Sequence, residues 1–145
     1  MPGIFGTSAL LQIDVNLILQ IAMLLIIFTS WLYKKRLRFK IHGTLMGIAV
    51  SLHVVSFFAV MGPLFSAGFS YFTTATSELV VQIVWFHVVP GAIAMVLAIF
   101  VVSTWALKPS NLAACRRKKR LMDVTVLLWL VALMFGIATY IVFYT

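Results

Sequence analysis

Four apolar runs, each long enough to cross a bilayer, decide what this chain can fold into. They cover about residues 11–33, 41–62, 78–107 and 121–144; a helix needs roughly 20 residues to span a hydrocarbon core of about 30 Å. The chain has 145 residues, 63% hydrophobic and 10% charged. A soluble domain carries about 25% charged residues, so there is too little polar surface here to cover four such helices in water. The expectation is an all-α integral membrane four-helix bundle with antiparallel up-down spans, a single transmembrane domain over residues 1–145.

The formal net charge of +8 does not point to nucleic acid, because its distribution is topological. Lys34, Lys35, Arg36, Arg38 and Lys40 follow the first run, and Lys108, Arg116, Arg117, Lys118, Lys119 and Arg120 follow the third. Odd-numbered spans end on the same face, so both clusters share one side. Basic residues near span ends mark the cytoplasmic side, which makes both termini external and the protein a multi-pass component of the cell (plasma) membrane with cytoplasmic basic loops. Contact with anionic lipid or a partner is a second use of the same clusters. No basic region precedes the first apolar run, so the N-terminus does not read as a cleaved signal peptide. Cys115 is alone and excludes an internal disulfide.

Gln12, Asn16 and Gln20 are four apart and share one helical face, which should turn to the bundle or the headgroups rather than to lipid. Asp14, one turn inside the boundary, reads as an interfacial carboxylate. In the second span Gly43, Gly47 and Ser51 form a small-residue ridge suited to close helix approach. Pro63 is expected to end that span, leaving residues 63–76 as an external loop lying on the membrane surface. Thr76-Ser77-Glu78 opens the third span. Pro90 should kink it one turn past His87, with Gly91, Ala94 and Ala98 leaving space on the His87 side.

The three histidines carry the functional signal. At 1.5 Å rise per residue, His53 is about 18 Å from one face and His87 about 12 Å from the other, so both fall near mid-membrane. Their spans are consecutive and expected to be neighbours. One imidazole from each of two facing helices is what axial ligation of haem iron requires. His53 and His87 are therefore the candidate cofactor and metal ligands, with haem b as the preferred cofactor. Copper is the rival, since imidazoles with thioethers such as Met46, Met61 and Met95 suit Cu(I). Hydrogen-bonding glue between helices and proton transfer are the other readings of this pair. His42 lies 11 residues before His53, on nearly the same face and about 16 Å away along the axis. It suits an interfacial position, a second centre, proton uptake, or a pairing with Asp123. No nucleophile elbow, phosphate loop or carboxylate pair is present, so an enzyme is not expected.

Three segments also carry a resemblance: Lys40-Ile41-His42-Gly43-Thr44-Leu45-Met46 opening the second span, Trp85-Phe86-His87 with the small residues after it, and Arg117 to Tyr140 with Trp129 and Gly136. Over about two-thirds of its length the chain resembles the YozB/CtaM family of small four-span membrane proteins. The resemblance implies a part in maturing haem–copper respiratory oxidases by handling haem or copper, an accessory role rather than catalysis. One departure stands out. Where the family places a further histidine before its last span, this chain reads Cys115-Arg116-Arg117-Lys118-Lys119-Arg120. The leading expectation is an oxidase assembly factor that binds haem between spans 2 and 3, with the lipid bilayer and respiratory oxidase subunits as partners. The alternatives are a b-type cytochrome electron-transfer subunit of a larger membrane redox complex and a structural subunit without cofactor.

Overall fold

The computed structural model describes residues 3–107 and 116–145; Lys108 and Cys115, named above, lie outside the described residues. Four helices in it are long and apolar enough to cross a membrane: Leu11–Lys35, Phe39–Ala67, Leu79–Leu107 and Lys119–Tyr144. They are α1 (Leu11–Lys35), α2 (Phe39–Ser56) continued by a π-helical turn (Phe57–Met61) and α3 (Gly62–Ala67), then, after the short α4 (Phe69–Thr74), α5 (Leu79–Leu107) and α6 (Lys119–Tyr144). Only 22–28% of each apolar window is buried inside the protein. The rest, including Leu25, Phe28, Phe86 and Leu127, is outward-facing apolar surface compatible with contact with a lipid bilayer.

Helices immersed in lipid gain little from hydrophobic association and are held by close packing and hydrogen bonds across interfaces. Both are visible here. α1 packs along α2 and α5 along α6, and α2–α5 and α1–α6 contacts close the ring. The core is a stack of Met23, Ile27, Ala49, Ala94, Trp129 and Leu133, with Val50 and Ala98 beside it. Small residues on one stripe of α5 (Gly91, Ala94, Ala98) are buried against α6 and α2. Of the ridge expected on α2, Gly43 is the member in use: the Trp105 indole lies where a Cβ would be. Ser51 is exposed and returns its hydroxyl to the Gly47 carbonyl.

The turn Arg36–Arg38 reverses the chain between α1 and α2. Leu37 N–H donates to the Lys34 carbonyl at 3.1 Å and Arg38 N–H to the Tyr33 carbonyl at 3.0 Å, which closes the C-terminus of α1. That motif places Leu37 at φ 58°, a left-handed position glycine would occupy without cost.

Three expectations need correction. Pro63 does not end the second span. The chain runs helically to Ala67, because the π-helical turn before the proline bonds Gly62 N–H to the Phe57 carbonyl and moves the ladder out of α-register. Pro63 then sits at the start of α3, where its missing N–H costs nothing. The stretch 63–76 is accordingly two short helices rather than a surface loop.

Asp14 is the third. It is enclosed by protein rather than exposed at the surface of the bundle. Residues 3–10 fold back over the ends of α1 and α6, and Asp14 is their anchor. Its Oδ2 accepts from Ile4 N–H at 2.5 Å and Phe5 N–H at 3.1 Å, and its Oδ1 from the Tyr140 hydroxyl at 2.6 Å. Thr7 Oγ1 meets Tyr140 at 3.0 Å, and Ser8 donates to the Tyr144 carbonyl. Three donors compensate a carboxylate that burial alone would penalise.

Candidate functional site

The interhelical hydrogen bonds are unevenly distributed, and their gap locates the site. Asn16 accepts from Ser56, joining α1 to α2. Ser30 meets His42 on the same pair of helices, His87 joins α5 to the Ala132 carbonyl of α6, and Tyr140 joins α6 to α1. Among the described residues no side-chain hydrogen bond joins α2 to α5. Between them, toward the end of the bundle that carries the termini, is a cavity of about 320 Å³. Ligand pockets run from about 300 to 1,000 Å³, so this one is at the small end of that range.

His53 from α2 and His87 from α5 both line the cavity, with Asn16 and Gln20 from α1 and Gly136 and Tyr140 from α6. His42 does not line it. The remaining wall is aromatic: Phe57 of the π-helical turn, Phe65 of α3 and Phe72 of α4. Phe65 stacks on Phe72 at 5.5 Å and meets Trp85 edge-on at 5.6 Å, while Trp85 Nε1–H donates to the Phe72 carbonyl at 3.0 Å. No residue from Phe57 to Glu78 is buried. The segment closes the cavity with few attachments, which is the signature of low local stability.

The two imidazoles are held differently. His87 Nδ1 is 2.8 Å from the Ala132 carbonyl. A carbonyl only accepts, so Nδ1 carries the proton and Nε2 keeps its lone pair. The ring is also pressed against α6. A Cβ on Gly136 would come within 2.9 Å of His87 Cε1 and 3.0 Å of Nδ1. His53 is buried but has no hydrogen bond to either ring nitrogen among the described residues, and Nδ1 is enclosed without a partner. Its one oriented neighbour is Trp129, edge-on at 5.1 Å and 82°. Gln20 Oε1 is likewise buried without a partner beside Gly136.

His42 takes its partners from α1, not from Asp123. Its Nδ1 is 2.7 Å from Ser30 Oγ and 3.0 Å from the Ser30 carbonyl, and Ser30 Oγ donates back to the His42 carbonyl at 3.1 Å. Asp123 is bonded to Lys34 at 3.0 Å. His42 Nε2 is enclosed and unpartnered, and a core of Met23, Ile27 and Ala49 lies between it and the cavity.

Two imidazoles are as many protein ligands as a haem iron takes. Among the described residues no three His, Cys, Asp or Glu side chains converge, whereas a porphyrin brings four equatorial nitrogens and asks the protein for one or two axial ligands. A His whose second ring nitrogen is tied to a carbonyl is the usual form of a metal-ligating imidazole, and His87 has that form. The rest of the wall is largely apolar and aromatic.

Of the residues forming the site, Gln20 and Asn16 were signalled by their four-residue spacing, and Gly136 and Tyr140 by the family resemblance. Phe65, Phe69 and Phe72 recur at helical spacing, a signal that segment 62–74 is helical. The Ala132 carbonyl has no side-chain signature at all. No protein-family model, curated protein or solved structure matches the chain.

Proposed function

We propose that this protein binds haem between α2 and α5 through His53 and His87, and serves the assembly of a respiratory haem–copper oxidase in the plasma membrane. One observation carries the reading: two imidazoles from facing helices wall a single aromatic-lined cavity, and one of them has its Nε2 lone pair freed by the Nδ1–Ala132 bond. The assembly role rests on the resemblance of residues 40–46, 85–87 and 117–140 to the YozB/CtaM family. The two basic clusters support an orientation with those loops cytoplasmic and both termini external.

In this role the residues hold and shelter the group rather than transform it. His87 is oriented by Ala132 and Gly136, and Phe57, Phe65 and Phe72 would give the bound group an apolar surround. Bound haem would supply a one-electron iron centre. A b-type cytochrome would use the same site, and differs in keeping its haem through purification and accepting electrons from quinol.

Titrating ferric haem into purified protein tests the reading. A shifted, saturable Soret band at one haem per chain is expected; a spectrum equal to that of free haem in the same detergent refutes it. Cells lacking the protein should make oxidase subunits with reduced haem content. Unchanged haem content would remove the assembly role and leave the binding site.

A further inference from the structure

Resting on the haem reading above, we infer that the two ligands are unequal: His87 is the anchoring axial ligand, and His53 is the exchangeable one through which haem is taken up and given away. The asymmetry is geometric. His87 is fixed by three things at once: a 2.8 Å bond from Nδ1 to the Ala132 carbonyl, the backbone of Gly136 against its ring edge, and a position within an unbroken 29-residue helix. A hydrogen-bonded partner on the second nitrogen sets the tautomer, fixes the ring plane and raises ligand basicity, and removing such a partner lowers metal affinity by about 10–100-fold.

His53 has none of these supports. Among the described residues neither ring nitrogen is hydrogen-bonded, so no partner selects the tautomer or fixes the ring plane, and the Trp129 edge is the aromatic contact it makes. It also lies three residues before the last residue of α2, next to the π-helical turn Phe57–Met61 and the weakly attached α3–α4 segment. Movement of that aromatic cover would disturb His53 before His87. Ala132 and Gly136 are thus positioning residues for the anchoring ligand, and a carrier that must release its cargo needs one ligand of each kind.

The test is ferric haem titration of purified full-length protein, with spin state read from the Soret and charge-transfer bands. His53→Ala and His87→Gln are compared, the glutamine being able to keep a bond to the Ala132 carbonyl so that the fold is retained. Wild type is expected to be six-coordinate and low-spin. His53→Ala should keep haem within about tenfold of wild-type affinity but turn it five-coordinate and high-spin, with added imidazole restoring the low-spin spectrum. His87→Gln should lose at least tenfold more affinity than His53→Ala, and imidazole should not restore it. Gly136→Ala, which displaces His87 without removing it, should lower affinity by about 10–100-fold.

Equal losses for His53→Ala and His87→Gln, or the reverse order, overturn the inequality while leaving haem binding in place. Wild type that binds no haem overturns the parent reading and this one with it.

Discussion

Gly136 offers the sharpest test of how the site is built, because a matched control exists in the same bundle. An added methyl at Gly136 would stand 2.5 Å from Gln20 Oε1, 2.9 Å from His87 Cε1 and 3.0 Å from His87 Nδ1. At Gly47 the nearest atom to such a methyl is Val102 Cγ1 at 3.8 Å, an ordinary contact. Both glycines are within transmembrane helices, so the helix-propensity gain of about 0.5–1 kcal/mol on going to alanine is common to both. It cancels in the comparison. What remains is overpacking at Gly136 alone, about 1–3 kcal/mol. Gly136→Ala should therefore be less stable than Gly47→Ala by that amount, measured by reversible unfolding in mixed micelles followed by circular dichroism. The cheapest relief is rotation of His87 away from α6, which breaks its bond to Ala132, so the loss of stability should coincide with weakened haem binding in Gly136→Ala only. Two variants of indistinguishable stability would show that His87 is not wedged against α6 as described.

Four further outcomes are expected. Asp14→Asn and Tyr140→Phe should each release residues 3–10, seen as faster amide exchange at Thr7 to Ala9; unchanged exchange would mean that the strap is held by something other than the carboxylate. Ser56→Ala removes the buried bond to Asn16 and should cost about 0.6–1.7 kcal/mol in the same unfolding assay, a value indistinguishable from zero arguing against that bond. Asp123→Asn should change stability by less than about 1 kcal/mol, since the Lys34 pair is partly solvated at 28% and 53% side-chain exposure; a larger loss would mark a buried role. Trp85→Phe should speed amide exchange across Phe65 to Thr74 while leaving α1 and α6 protected, and uniform protection would refute the weak attachment of α3 and α4.

The spans were legible because a membrane helix writes its identity along its own length: an apolar run, basic residues beyond it, aromatics at its ends. His53 and His87 were placed near one level by counting residues, and they do wall one cavity. Features that depend on how segments meet were not written locally. Pro63 looked like a terminator because a proline in an α-ladder costs a bond; the π-helical turn that accommodates it begins six residues earlier, in Phe57-Phe58-Ala59-Val60-Met61, a run without any marker. Asp14 looked superficial because depth counting sees only its own helix, and the backbone amides of Ile4 and Phe5 that sequester it come from a strap with no regular pattern. Depth allows a pairing of His42 with Asp123 as one option among several, but azimuth decides against it: Ser30 faces His42 and Asp123 turns outward to Lys34.

Polar side chains inside the bundle occur as two islands. Asp14, Asn16, Gln20, His53 and Ser56 occupy one half, and Ser30, His42 and Thr125 the other. On α1 the ten residues from Gln20 to Ser30 correspond to about 15 Å of rise, and the inward positions between them are Met23 and Ile27. Ala49, Val50 and Leu133 complete that seal, with Trp129 as its one member bearing an N–H. Protons hopping along hydrogen-bonded groups meet a hydrocarbon barrier half a bilayer thick. Among the described residues the buried polar side chains of the two islands are therefore not joined into one hydrogen-bonded chain.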